Sequence, residues 1–157
     1  MILIVDSGST KTDWISINKS GETFFETQTL GLNPQVLTNH ILKERIVNNF
    51  ELYKFRKDVK EIHFYGAGCG TKPPRVLIKK VFENIFVNCE HYSIKEDTYA
   101  AIYSTAEIKS KSIVCILGTG SNCTYFDGEN IDQRVISLGY ILMDEASGNY
   151  FGRQMLG

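Results

Sequence analysis

The chain opens on an unbroken apolar run, Ile2-Leu3-Ile4-Val5, the pattern of a central strand. Alternation follows over 14–18, with Trp14, Ser16 and Asn18 on one side and Ile15 and Ile17 on the other. Asn18-Lys19-Ser20-Gly21-Glu22 reads as a hairpin turn and 23–30 as the returning strand. Three strands joined by short links make an antiparallel meander. After Gly31-Leu32-Asn33-Pro34 the period lengthens, and Leu42, Ile46, Phe50 and Tyr53 recur at helical spacing. A strand over 59–65 ends in Gly66-Ala67-Gly68-Cys69-Gly70. Pro73-Pro74 then opens a second helix, as proline tolerates the first turn. Its apolar pairs Leu77/Ile78, Val81/Phe82 and Ile85/Phe86 repeat every four residues. A short strand over 91–94 leads to Asp97 and a third helix through Ile108.

The resulting order, βββαβαβα, resembles a ribonuclease-H-like unit and not a Rossmann unit, which begins β-α-β. The expected fold is α/β, a mixed sheet with helices on both faces. Near Ser110-Lys111-Ser112 the polarity changes, and strand-like segments restart at 113–117, 123–126 and 135–138. Phe126-Asp127-Gly128-Glu129 makes a turn between them, and a young helix begins at Glu145. The sequence therefore predicts one domain over 1–109 and the first strands of a second, incomplete ribonuclease-H-like domain over 110–157. Strands without completed helices lack a core partner, so the chain reads as the first part of a longer protein, inactive by itself.

Composition narrows the function classes. The 157 residues, 43% of them apolar, can bury an ordinary core. A net charge of −1, from 17 basic and 18 acidic side chains, argues against a nucleic-acid-binding surface, which needs a concentrated positive field. The most basic stretch, Lys54, Arg56, Lys57 and Lys60, reads as a solvated helix end. No apolar run approaches the roughly 20 residues of a membrane span. The opening strand lacks a basic leader and cleavage site, so a soluble cytoplasmic protein is expected. The four cysteines, Cys69, Cys89, Cys115 and Cys123, show no CxxC spacing. Cys89 and Cys115 sit in or beside apolar segments and are expected to be buried and reduced. His40, His63 and His91 lack ligand spacing.

The chemistry concentrates in two Gly/Ser/Thr turns, each directly after an apolar run. One is Asp6-Ser7-Gly8-Ser9-Thr10-Lys11-Thr12-Asp13; the other is Gly118-Thr119-Gly120-Ser121-Asn122. Such turns direct backbone N–H groups and hydroxyls at one spot, which suits a phosphate. Two of them suggest two lips of one nucleotide cleft. Gly8 would let backbone approach a phosphate, Ser9 and Thr10 would add hydroxyl donors, and Lys11 would add charge or lie solvated at the strand end. Gly118, Thr119 and Gly120 form either the opposite lip or a plain hairpin turn. Asp97 opens a helix after a strand, which suits a helix cap as well as a general base. Gly66-Ala67-Gly68-Cys69-Gly70 lacks GxGxxG spacing and reads as a loop, and no GxxxxGK[ST] P-loop occurs.

With both turns placed, the chain resembles the acetate and sugar kinase, Hsp70 and actin superfamily, whose two ribonuclease-H-like domains close on ATP. Within it the likeness is to N-acetylglucosamine kinases and the BadF/BadG/BcrA/BcrD-type ATPases. It is carried by 6–12, Gly31-Leu32-Asn33-Pro34, Asp97-Thr98-Tyr99-Ala100-Ala101, 117–123 and 139–152, in the family's order. Two positions depart: Met143 and Ala146 stand where the family usually shows glycine. The resemblance implies ATP and Mg²⁺ as cofactors, with Asp6 helping to hold the metal and Thr10 contacting ATP. It implies Asp97 as the base that accepts the proton of a sugar hydroxyl. It also implies Asn33, Ser121, Asn122, Gly139, Tyr140 and Asp144 as the substrate's contacts. The implied partners are an amino sugar and ATP, with no nucleic acid or membrane, and a homodimer is compatible. Two alternatives remain open: an ATPase driving a partner protein, or an inactive nucleotide- or sugar-binding module.

Overall fold

The computed structural model describes residues 1–107, 109–118, 120–132 and 145–156. It divides into two compact units, Met1–Asp97 and Thr98–Gly157. The first unit is built on β1 (Ile2–Ser7), β2 (Lys11–Ile17), β3 (Thr23–Leu30), β4 (Glu61–Gly66) and β5 (His91–Lys95). Their order in the sheet is β3-β2-β1-β4-β5. The first three strands pair antiparallel, as the meander predicts, while β1–β4 and β4–β5 pair parallel.

Side chains alternate across this sheet. Leu3, Val5, Trp14, Ile62 and Phe64 face one core, which the helices α1 (Asn39–Val47), α2 (Phe50–Lys54) and α3 (Lys72–Ile85) complete. Helix α3 starts on Pro73-Pro74 and buries Ile78, Val81, Phe82 and Ile85, a single apolar stripe. Phe82 meets Trp14 and Phe64 edge-on, at centroid distances of 6.1 and 5.4 Å. Ile4 and Ile15, on the other face, are each 37% exposed.

The helical pattern over Leu42–Tyr53 is not one helix. Asn48 caps the end of α1, and the Asn49 side chain starts α2 by accepting the Leu52 amide at 3.1 Å. Asn49 also donates to Thr27 of β3 at 2.8 Å, an alternative to continuing the helix. The break rotates the apolar face, so Leu52 is buried while Phe50 and Tyr53 are exposed.

The second unit comprises α4 (Thr98–Thr105), β6 (Ser112–Leu117), β7 (Ser121–Phe126), β8 (Ile131–Asp132) and α5 (Gly148–Leu156). The strands form an antiparallel sheet in the order β6-β7-β8. Ile102 of α4 packs with Val114 and Phe126, so α4 groups with the second sheet and the units divide at Asp97/Thr98, whereas the sequence divides them at 109/110. The strand expected at 135–138 lies outside the described residues. Cys89 is half-buried, and Cys115 is exposed, contrary to the sequence reading. An apolar strand run does not say which of its two faces is covered. Cys115 stands directly across from Cys123, with the two sulfurs 2.9 Å apart.

Candidate functional site

Because β1, β4 and β5 run parallel, their C-terminal ends share one edge of the first sheet, where open α/β sheets gather ligands. Ser7 of β1 lies beside Gly66 of β4, and Tyr65 beside Lys95 of β5. The turn after β1 is closed by the Gly8 amide donating to the Lys11 carbonyl at 3.0 Å. The Gly8 N–H is therefore taken up within the turn. A Cβ on Gly8 would meet only the Lys11 carbonyl, at 3.6 Å, so packing within the unit does not require glycine there.

Two buried hydroxyls lock the neighbouring loop onto this turn. Ser7 Oγ lies 2.8 Å from Thr12 Oγ1 and accepts the Leu32 amide at 3.1 Å, while Thr12 donates to the Leu30 carbonyl at 3.3 Å. The Gly31 amide donates to the Thr10 carbonyl at 2.8 Å, and the Arg45 guanidinium donates to the Gly31 carbonyl. A Cβ on Gly31 would stand 2.3 Å from the Ser9 carbonyl oxygen, so only glycine fits this crossing. The result delivers Asn33 to the turn: its Nδ2 donates to Ser9 Oγ at 3.3 Å and its Oδ1 accepts the Gln35 amide at 2.9 Å.

Asp6 and Asp13 are direct partners across β1 and β2. Partial desolvation of the Asp6 carboxyl and then the facing Asp13 charge hold it above the ordinary carboxylate range, while Lys11 pulls the other way. Lys11 Nζ is 3.0 Å from Asp13 on an exposed side chain; such a pair is weakly held and can exchange for a phosphate. Among the described residues no three His, Cys, Asp or Glu side chains converge on a metal position. The Asp6–Asp13 pair nonetheless fits magnesium, which takes one or two carboxylates and completes its shell with phosphate oxygens and water.

Asp97 follows β5 directly before α4 and is half-buried. It lies close enough to Cys69 for its charge to act on that thiol. Burial first of all pushes Cys69 up to about 12; Arg75 lowers it, and Asp97 and Glu96 raise it further. Cys69 is thus a packing residue and not a nucleophile.

In the second unit the β6–β7 turn is closed by the Gly118 amide donating to the Gly120 carbonyl at 2.9 Å. The start of α5 is tied to it: the Gly148 amide donates to the Gly118 carbonyl at 2.8 Å, and Ser121 Oγ donates to the Glu145 carbonyl at 2.8 Å. Buried Ser147 accepts the Tyr150 amide at 3.1 Å, capping the helix. Asn122 accepts a hydrogen bond from Thr124 at 3.5 Å. Ala146 has φ 63°, the left-handed region.

The structure thus gathers Asp6, Gly8, Ser9, Thr10, Lys11 and Asn33 on one edge with Asp97 at the end of β5. It gathers Gly118, Gly120, Ser121 and Asn122 on the other unit's turn. Thr119, Gly139, Tyr140 and Asp144 lie outside the described residues. Sequence reading misses Ser7, Thr12 and Gly31. Their only signal is two hydroxyls on the inward-facing register of apolar strands, and a glycine ending the third.

The chain aligns over its full length with a solved structure from Porphyromonas gingivalis provisionally assigned as an N-acetylglucosamine kinase. The two share 38% identity at a TM-score of 0.87, and the match covers 55% of that chain. A Chromobacterium violaceum structure with the same provisional assignment matches 98% of this chain and 54% of its own, with 18% identity and a TM-score of 0.70. At that identity it speaks for the fold alone. The N-acetyl-D-glucosamine kinase of Dictyostelium discoideum is 24% identical over 165 residues, 97% of this chain and 51% of the relative. The chain spans about half the length of these relatives. No family model matches it. These likenesses bear out the resemblance to N-acetylglucosamine kinases that the motifs carry, and the fold is that of the actin-like ATPases.

Proposed function

We propose that this chain forms the phosphate and acceptor sites of an ATP-dependent phosphotransferase acting on an amino sugar of the N-acetylglucosamine type. The observation that carries the reading is the Asn33–Ser9 hydrogen bond of 3.3 Å, which ties a carboxamide suited to sugar hydroxyls to the first Gly/Ser/Thr turn. The likeness to the kinases supports it.

In this reading Ser9, Thr10 and Lys11 bind phosphate, and so do Gly118, Thr119 and Gly120. Asn33, Ser121, Asn122, Gly139, Tyr140 and Asp144 hold the sugar. Asp97 accepts the proton of the attacking hydroxyl as the γ-phosphoryl group is transferred and ADP leaves. Asp6 holds Mg²⁺, which when bound offsets the charge of the phosphate oxygens. Positioning and fixed dipoles supply most of the acceleration, because phosphoryl transfer asks little covalent chemistry of the protein.

The test is a coupled assay of ADP release by the intact gene product with ATP and a panel of hexosamines. We expect release that depends on the sugar and falls about 10²- to 10⁴-fold in Asp97→Ala. Release indifferent to every sugar, or unchanged in the variant, contradicts the assignment.

A further inference from the structure

The glycine-rich stretch after β4, which the sequence reads as a plain loop, lies against the acceptor residue. The Ala67 amide donates to the Ser7 carbonyl at 2.8 Å, joining the loop to the phosphate turn. Gly68 has φ +80°, and a Cβ there would stand 2.3 Å from Asn33 Oδ1 and 3.2 Å from Gln35 Cγ. Arg75 of α3 fastens the loop from behind. Its guanidinium donates to the Cys69 carbonyl at 2.6 Å and to the Gly70 carbonyl at 2.9 Å. Such a paired fork has a fixed geometry, which lysine cannot reproduce. Cys69, wholly buried, anchors the same loop to the core.

The Asn33 amide is therefore confined by Ser9, by the Gln35 amide and by the bare backbone of Gly68. An asparagine amide offers two donors and two lone pairs, of which Ser9 and Gln35 take one each. The remaining donor and lone pair match a sugar hydroxyl, which both donates and accepts. We infer that Gly68, held by Arg75, is a positioning residue that sets the orientation of Asn33 for a polyhydroxyl acceptor. This rests on the reading of Asn33 as an acceptor contact.

A double-mutant cycle tests it by calorimetry, with N-acetylglucosamine and, separately, ATP-Mg²⁺ as titrants on the full chain. Gly68→Ala is expected to weaken sugar binding about tenfold or more while leaving ATP affinity within about twofold. Combined with Asn33→Ala, it should add no further loss, since both act through one side chain. Unchanged sugar affinity in Gly68→Ala where Asn33→Ala weakens it, or losses that simply add, overturns the inference. Arg75→Lys, which frees the loop without altering Gly68, should weaken sugar binding in the same direction, and serves if Gly68→Ala does not fold. Unchanged sugar affinity there also counts against the inference. The Asn33 side-chain amide resonance supplies a readout independent of the sugar: it should move in Gly68→Ala, and a fixed resonance overturns the positioning role. If Asn33→Ala binds sugar normally while that resonance still moves, the positioning holds and the acceptor reading of Asn33 fails.

Discussion

Ala146 occupies the left-handed region at φ 63°, where a side chain strains the backbone. The resemblance expects glycine here, and the backbone has kept the conformation glycine would adopt. Ala146→Gly should therefore stabilise the chain by up to about 1 kcal/mol, the relief of strain exceeding the entropy that glycine adds to the unfolded state. Denaturant titration measures this, and a less stable variant contradicts it. Asp6 carries an electrostatic cost. Its folded carboxyl titrates above the ordinary value, through desolvation first and the facing Asp13 next. Protonation thus favours the folded state: the contribution is full below about pH 4, the unfolded value, and is lost as pH rises through the folded one. Asp6→Asn should melt higher than the parent at pH 7, with the gap closing as pH falls into the carboxylate range. A variant that melts no higher at pH 7 contradicts this assignment. Such a gain is expected where a charge is kept for binding at the expense of stability.

At the scale of elements, strands and glycines fix what the loops can do. Gly31 allows the chain leaving β3 to pass under the first turn, with a virtual Cβ 2.3 Å from the Ser9 carbonyl oxygen. Gly31→Ala must displace backbone, so we expect a loss of about 2 kcal/mol or more together with weaker ATP binding. A variant with parental stability and affinity would mean that the crossing is loose. The meander and the α3 stripe were legible from period alone, because each repeats over several turns or strand positions, whereas the parallel pairs β1–β4 and β4–β5 join segments far apart in sequence. The division of α1 from α2 was not, since it depends on Asn49 reaching Thr27 in another strand. Ser7, Thr12, Gly31 and Gly68 escaped for the same reason. Their roles come from contacts such as Leu32 to Ser7 and Gly68 to Asn33, between residues far apart in sequence.

At the scale of the molecule, each of the two compact units presents one Gly-rich hairpin turn, fastened by a different device. The first is locked by the Ser7–Thr12 hydroxyl pair, the second by the N-terminal end of α5. The candidate chemistry was legible because these turns are written as short contiguous motifs. Asp97 was legible only as a carboxylate between strand and helix, a setting that fits a cap equally well, so its role depends on the likeness to the kinases. The central proposal is that each turn binds phosphate. A co-crystal with a non-hydrolysable ATP analogue and magnesium tests it most directly. We predict phosphate oxygens within hydrogen-bonding distance of Ser9 and Thr10, and of the Gly118–Gly120 turn. A nucleotide held by one turn alone, or bound away from both, would contradict the account.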